Sequence, residues 1–196
     1  MSHCTLHLAL SVLVAVAASN VAAQVGKNAP HNSSALQHPK WEEPTSFLGL
    51  KFGEKVELPP CAQARNELCK VVVDNFYSYR NLPDLGFKYS LSSLNLDGVP
   101  YYFALTTEKA NHFRLVAMFR ERYGEPIKTE EVTVQTRGGA RYTSNVRTWE
   151  GPKIKISLHE LGAKVTESAI YVTDKDLAEK VKDRETGEAK SKAGAL

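Results

Sequence analysis

The side chains able to do chemistry are few. Within residues 46–175 they are two histidines, two neighbouring cysteines, one carboxylate pair, a row of cations and one aromatic cluster. His112 and His159 are of the residue type that most often serves as a general base. The sequence fixes no nucleophile or orienting carboxylate beside either of them, so each reads as a surface or boundary residue. Glu130 and Glu131 are adjacent in an alternating segment and point to opposite faces, so they cannot serve as a carboxylate pair. The chain has no G-x-S-x-G elbow, no H-E-x-x-H and no P-loop. Gly139–Tyr142 (GARY) precedes no helical pattern and is no dinucleotide turn. No residue is assigned a catalytic role, and no cofactor or metal is expected.

Binding chemistry is better represented. Three segments between Glu130 and His159 alternate apolar and polar residues. Their odd positions carry Arg137, Arg141, Arg147, Lys153 and Lys155 against Glu131, which is five positive charges against one negative. Trp149 shares those positions and is an anchor of the kind enriched at interfaces. Such a face suits an anionic or sugar-rich polymer, or a protein. The same composition also occurs on a plainly solvated sheet face. A second cluster, Tyr77, Tyr79 and Arg80 with Phe76, lies in what reads as an aromatic loop over Asn75–Phe87. It is either a binding loop or a satellite core under a pinned loop.

The elements that must hold these residues follow from periodicity. Glu108–Tyr123 has helical spacing, with Thr107 as N-cap, Gly124 at the C-terminal end and Pro126 forbidding continuation. Its apolar stripe is read as Ala110, Phe113, Leu115, Val116, Ala117, Phe119 and Tyr123. The period then changes to two. Short turns at Gly138–Ala140 and Glu150–Pro152 separate three strands, which predicts an antiparallel meander. Alternation assigns Val132, Val134, Tyr142, Val146, Ile154, Ile156 and Leu158 to the face packed on the helix.

Upstream, Ser46–Gly53 reads as a short apolar strand and Val71–Val73 as another. Lys88–Leu96 and Val99–Leu105 flank Asp97-Gly98, a strong hairpin signal. Pro100 favours an edge position or a strand start. Val165–Thr173 is a last strand. Asp174 or Thr173 caps a short charged helix, after which Thr186–Leu196 is expected to be disordered. The class is α+β: one main antiparallel sheet with an amphipathic helix on one face and a short charged C-terminal helix.

The 196-residue chain has a domain over residues 46–175, with a charged weak helix and tail over 176–196. Residues 1–23 read as a signal peptide. The apolar run at 8–18 falls short of the roughly 20 residues that span a membrane, and Val21 and Ala23 suit a signal-peptidase site before Gln24. Its leading end has two histidines and no Lys or Arg; a buried N-terminal helix is the other reading of the run. Cys4 precedes the run, so it is not a lipid-anchor cysteine. Residues 24–45 read as a flexible lead-in, in which Trp41 either anchors on the domain or is exposed. The excess of three positive charges is too mild to suggest nucleic acid.

Cys61 and Cys69 remain after the signal is removed. In an exported chain such a pair is expected to form a disulfide. A metal site would need further Cys or His nearby, and the spacing is not C-x-x-C. The expectation is therefore an exported, non-enzymatic binding module for a protein or anionic envelope component, periplasmic or secreted. A hydrolase with a site assembled from distant residues, or an assembly subunit, are the alternatives.

Overall fold

The computed structural model describes residues 41–136 and 138–194. The expected signal peptide, Cys4, most of the lead-in and Arg137 lie outside the described residues. The chain is α+β. Ten strands run in sequence: β1 (Ser46–Phe47), β2 (Leu50–Lys51), β3 (Cys69–Val73), β4 (Phe76–Arg80), β5 (Tyr89–Leu96), β6 (Val99–Glu108), β7 (Lys128–Gln135), β8 (Arg141–Glu150), β9 (Ile154–His159) and β10 (Glu167–Asp174). Helix α1 (His112–Tyr123) lies between β6 and β7, and α2 (Lys175–Ala193) follows β10. β3 to β10 form one sheet in the order β3-β4-β5-β6-β10-β9-β8-β7, with every pairing between neighbouring strands antiparallel. β10 is the seam. It returns between β6 and β9 and joins the upstream meander to the downstream one.

The local signals account for most boundaries. Asp97 and Gly98 both take positive φ, as a two-residue primed turn requires. Gly124, at φ 77°, closes α1, and its N–H reaches the Arg120 carbonyl. Asp174 caps α2 by accepting from the Leu177 N–H. Cys61 and Cys69 form the expected disulfide. It pins a loop whose Pro59–Cys61 backbone bonds to the outer edge of β3 at Lys70.

Several boundaries differ from the sequence expectation. Ser46–Gly53 is no single strand: Leu48 and Gly49 take positive φ and fold it into the β1–β2 hairpin. The aromatic loop is half strand, since Phe76–Arg80 forms β4 and only residues 81–88 loop. Thr107 belongs to β6, and Asn111 precedes α1 without a side-chain cap bond. Pro100 stands at the start of β6, but on a central strand; a register shift at Leu94/Asn95 places Asn95 opposite it. The C-terminal helix is long, and Thr186 onward is helical through Ala193.

α1 packs on one face of the sheet. Leu115, Val116, Phe119 and Tyr123 meet Phe103, Leu105, Trp149, Ile156, Leu158, Ile170 and Val172 in one core, to which Phe47 and Leu50 of the β1–β2 hairpin add. Each such side chain contributes about 1.5–3 kcal/mol on burial. His112 takes the place on the stripe that Phe113 was expected to fill; Phe113 is 80 % exposed, and Ala110 and Ala117 also face solvent.

The pairing corrects the faces. Trp149 lies opposite Ile156 and Arg147 opposite Leu158, so odd positions of β8 share a face with even positions of β9. Val132 and Val134 pair with Ser144 and Tyr142, on the side away from α1. Trp149 is 0 % exposed and donates its indole N–H to the Gly124 carbonyl at 2.9 Å. It is a core residue under α1.

Candidate interaction surface

The basic row is therefore dispersed. Arg147 points toward α1, Lys153 sits in the β8–β9 turn, and Lys155 alone of the described set projects from the opposite face of β9. Arg141 is exposed at the far end of β8, on the α1 side. The aromatic cluster also splits. Tyr79 is buried on the α1 side, bonded to Ser93 Oγ at 2.7 Å, and burial pushes its hydroxyl pKa up to about 12. Tyr77 is on the same side, with the Lys70 ammonium 5.4 Å from its ring centroid. Arg80 is exposed on the other side, on a strand separated from β9 by three others.

Arg147 instead belongs to a buried polar chain that the sequence did not disclose. Its guanidinium can only donate, so His112 Nε2 accepts that bond, at 3.1 Å. The proton on Nδ1 then goes to Ser168 Oγ at 3.0 Å, and Ser168 donates to the Glu160 carbonyl at 2.8 Å. Glu160 takes two bonds from Asn145 and an ion pair from Lys109. His112 is 3 % exposed, contrary to its expected surface position, and Ser168 is closed off from solvent. The serine hydrogen is committed to backbone, so this Ser–His contact is an architectural bond and not a poised nucleophile.

Burial first, and then the Arg147 charge, hold the His112 pKa below its ordinary 6.5. Such a group takes up its proton more readily in the unfolded chain. Its stabilisation is complete above about pH 6.5 and is lost as pH falls from there through the folded-state value. Urea denaturation should therefore show lower stability at pH 5 than at pH 7.5. His112→Asn should be less stable at both and lose most of the difference. His159 is also lowered by burial; if His159→Asn rather than His112→Asn flattens the profile, the buried chain is not the acid-sensitive element.

The face away from α1 is the larger feature. The Glu160–Thr166 loop covers one end of it: Leu161 N–H bonds to Ser144 Oγ, and Gly162 lies over Ala169. α1 packs on the other face. The central strands there present Ser90, Ser92 and Leu94 of β5, Tyr102, Ala104 and Thr106 of β6, Tyr171 and Thr173 of β10, and Ser157 and His159 of β9. On these four central strands charges stand only toward the ends, at Glu108, Lys155 and Glu167, while Arg80, Lys128, Glu130 and Glu150 stand on the same face of the outer strands. An ordinary solvated face of an antiparallel sheet is rich in Lys, Glu and Arg. The middle of this one, on β5, β6, β10 and β9, is mostly hydroxyls and rings.

The rings form a row across three strands. Tyr102 stacks on Tyr171 at 5.7 Å between centroids, and His159 meets Tyr171 edge-on at 5.0 Å. Burial pushes Tyr102 up to about 12 and raises Tyr171, so both stay neutral donors and acceptors through the physiological range. Ser90 and Thr106 hydroxyls bond each other at 2.6 Å beside the row. The parity of the strands could have shown Tyr102 and Tyr171 on one face. Their adjacency required knowing that β10 inserts beside β6.

No helix of the described residues is long and apolar enough to cross a membrane, and no group of metal-ligating side chains is assembled among them. Comparison with protein-family models, with curated proteins and with solved structures finds no match to this chain.

Proposed function

We propose that this protein is an exported, non-enzymatic binding module, periplasmic in a bacterium, and that it holds a neutral glycan polymer of the cell envelope against the face of its sheet away from α1. The signal-peptide pattern and the disulfide support export. The observation that carries the ligand class is the near absence of charge from the central strands of that face. A polyanion requires cations, and the candidate cations are scattered between the core, a turn and separate strands. A neutral glycan requires rotatable hydroxyl partners for its own hydroxyls and ring faces or edges for its C–H surfaces, which Ser, Thr and Tyr supply. An extended polymer also fits an open sheet face, where the cavity beside Ser90 and Thr106 is shallow.

The test uses the hexamer of N-acetylglucosamine as probe, by isothermal titration calorimetry, at 50 and 300 mM salt. Saturable binding that is insensitive to salt is expected. Tyr102→Thr/Tyr171→Thr should weaken it at least tenfold in a variant that still melts cooperatively, because threonine keeps the strand propensity although the ring stacking is lost. Heparin serves as the polyanion control. Absence of hexamer binding overturns the reading. So does salt-sensitive heparin binding that the tyrosine variant keeps and Arg141→Ala/Lys155→Ala loses.

A further inference from the structure

A second candidate site lies elsewhere among the described residues, and the protein fills it with its own chain. Glu43 sends one carboxylate oxygen, Oε1, to two backbone donors in the β8–β9 turn, Lys153 N–H and Ile154 N–H, each at 2.6 Å. Short bonds from two donors to one ionised oxygen are the strong, charge-assisted kind. The turn is held ready for them. Gly151 N–H bonds to the Ile154 carbonyl at 2.9 Å, and the Lys153 carbonyl accepts from Lys175 N–H at 2.8 Å, so the two free amides face outward together.

Two residues before Glu43, the Trp41 ring packs on Tyr123, with centroids 5.7 Å apart. Tyr123 continues through Phe119 to the buried Trp149. The aromatic slot is thus part of the core, while the carboxylate seat is part of a turn. Gly151 lies between them. A Cβ there would come 2.5 Å from Glu43 Oε1 and 2.9 Å from Trp41 Nε1. Glycine at this position is what lets both anchors approach the backbone.

We propose that the β8–β9 turn and the last turn of α1 form a peptide-recognition site for an aromatic-x-acid segment, with Trp41–Glu43 as its resident occupant in cis. Among the described residues the Trp41 indole N–H is buried without an acceptor. The slot therefore reads a ring and not a hydrogen bond, and phenylalanine fits the same place. The carboxylate is read by geometry, so an amide in its place keeps the shape but brings no charge and sets one donor group among donors. Any chain that presents an aromatic residue two positions before a carboxylate competes for the site once residues 41–43 release it. The ligand class is an acidic peptide, and this site is separate from the sheet face proposed to bind glycan.

The experiment uses the full chain with Trp41→Ala/Glu43→Ala, checked for an intact disulfide and a cooperative melt. A labelled peptide with the sequence of residues 37–46 is titrated against it by fluorescence anisotropy. Saturable binding is expected to the emptied protein, with at least tenfold weaker binding to the wild type, whose own segment occupies the site. A peptide carrying Glu43→Gln should bind at least tenfold more weakly than the parent, and one carrying Trp41→Phe within about threefold of it. Addition of Gly151→Ala should abolish binding. Because a Cβ at position 151 also changes the turn itself, amide NMR of the emptied protein gives the second readout: Lys153 and Ile154 amides should shift downfield on addition of the peptide. No binding to the emptied protein, equal binding to the wild type, equal binding of the glutamine peptide, or unmoved Lys153 and Ile154 amides would each overturn the proposal.

Discussion

Ile156→Asp should leave the protein unfolded, while Val134→Asp should fold with a loss of about 1 kcal/mol or less. Both valine and isoleucine sit at even positions of alternating strands, and the sequence alone puts them on one buried face. The pairing separates them. Ile156 is 0 % exposed, between Trp149 on β8 and Val172 on β10. An aspartate there has no cation or donor to meet it, and burying an unpaired carboxylate costs several kcal/mol even after the group protonates. The apolar contacts of the isoleucine are lost as well, at about 2–5 kcal/mol. A domain of this size has about 5–15 kcal/mol in all. Val134 pairs with Tyr142 on the edge hairpin, half-exposed, on the face away from α1. Circular dichroism of the two variants separates the outcomes. Equal loss of structure in both would place Val134 in the core and reverse the face assignment.

The misreading has a definite physical origin. Alternation along one strand tells which residues share a face, but linking two strands needs the number of residues in the turn. Between β7 and β8 the pairs sum to an even number, so even meets even, as at Val134 and Tyr142. Between β8 and β9 Glu150 pairs with Lys155, and the four residues between them reverse the parity. Trp149 and Arg147 thus pass under α1, although their own strand neighbours Val146 and Thr148 are also buried, on the other side. Burial on both faces of β8 is what makes its pattern ambiguous.

What was legible depended on short range. The Asp97-Gly98 hairpin, the Gly124 stop, the Asp174 cap and the disulfide are all set within about ten residues, and each appears as read. The partners that define the sites are not local. Ser168 reaches His112 across 56 positions, and Ile154 reaches Glu43 across 111. A serine and a glutamate are unremarkable in sequence, and no spacing rule connects them to a distant imidazole or turn. Gly151 offered a signal, since a glycine beside a proline was already read as a turn. Its second role, clearance for an incoming carboxylate, needed the lead-in segment in view.

Trp149→Ala should destabilise the protein by about 3–5 kcal/mol, the largest loss expected of any single truncation that keeps the chain neutral at the site. The ring is fully enclosed, packs on Phe119 at 5.8 Å and lies opposite Ile156. Its removal leaves a cavity at the centre of the α1–sheet contact. It also strips the Gly124 carbonyl of the indole donor at 2.9 Å, at the residue that ends the helix. An acceptor left buried adds its own desolvation cost. Trp149→Phe keeps most of the volume but not the donor, so it should cost about 1–3 kcal/mol. The measurement is the urea midpoint at constant slope. An outward-facing interface anchor would show the reverse: near-neutral stability in both variants, and an effect only on binding. The two expectations differ by more than the error of a denaturation curve. The experiment therefore decides whether Trp149 is a core residue under α1 or the outward-facing anchor that composition alone would have chosen.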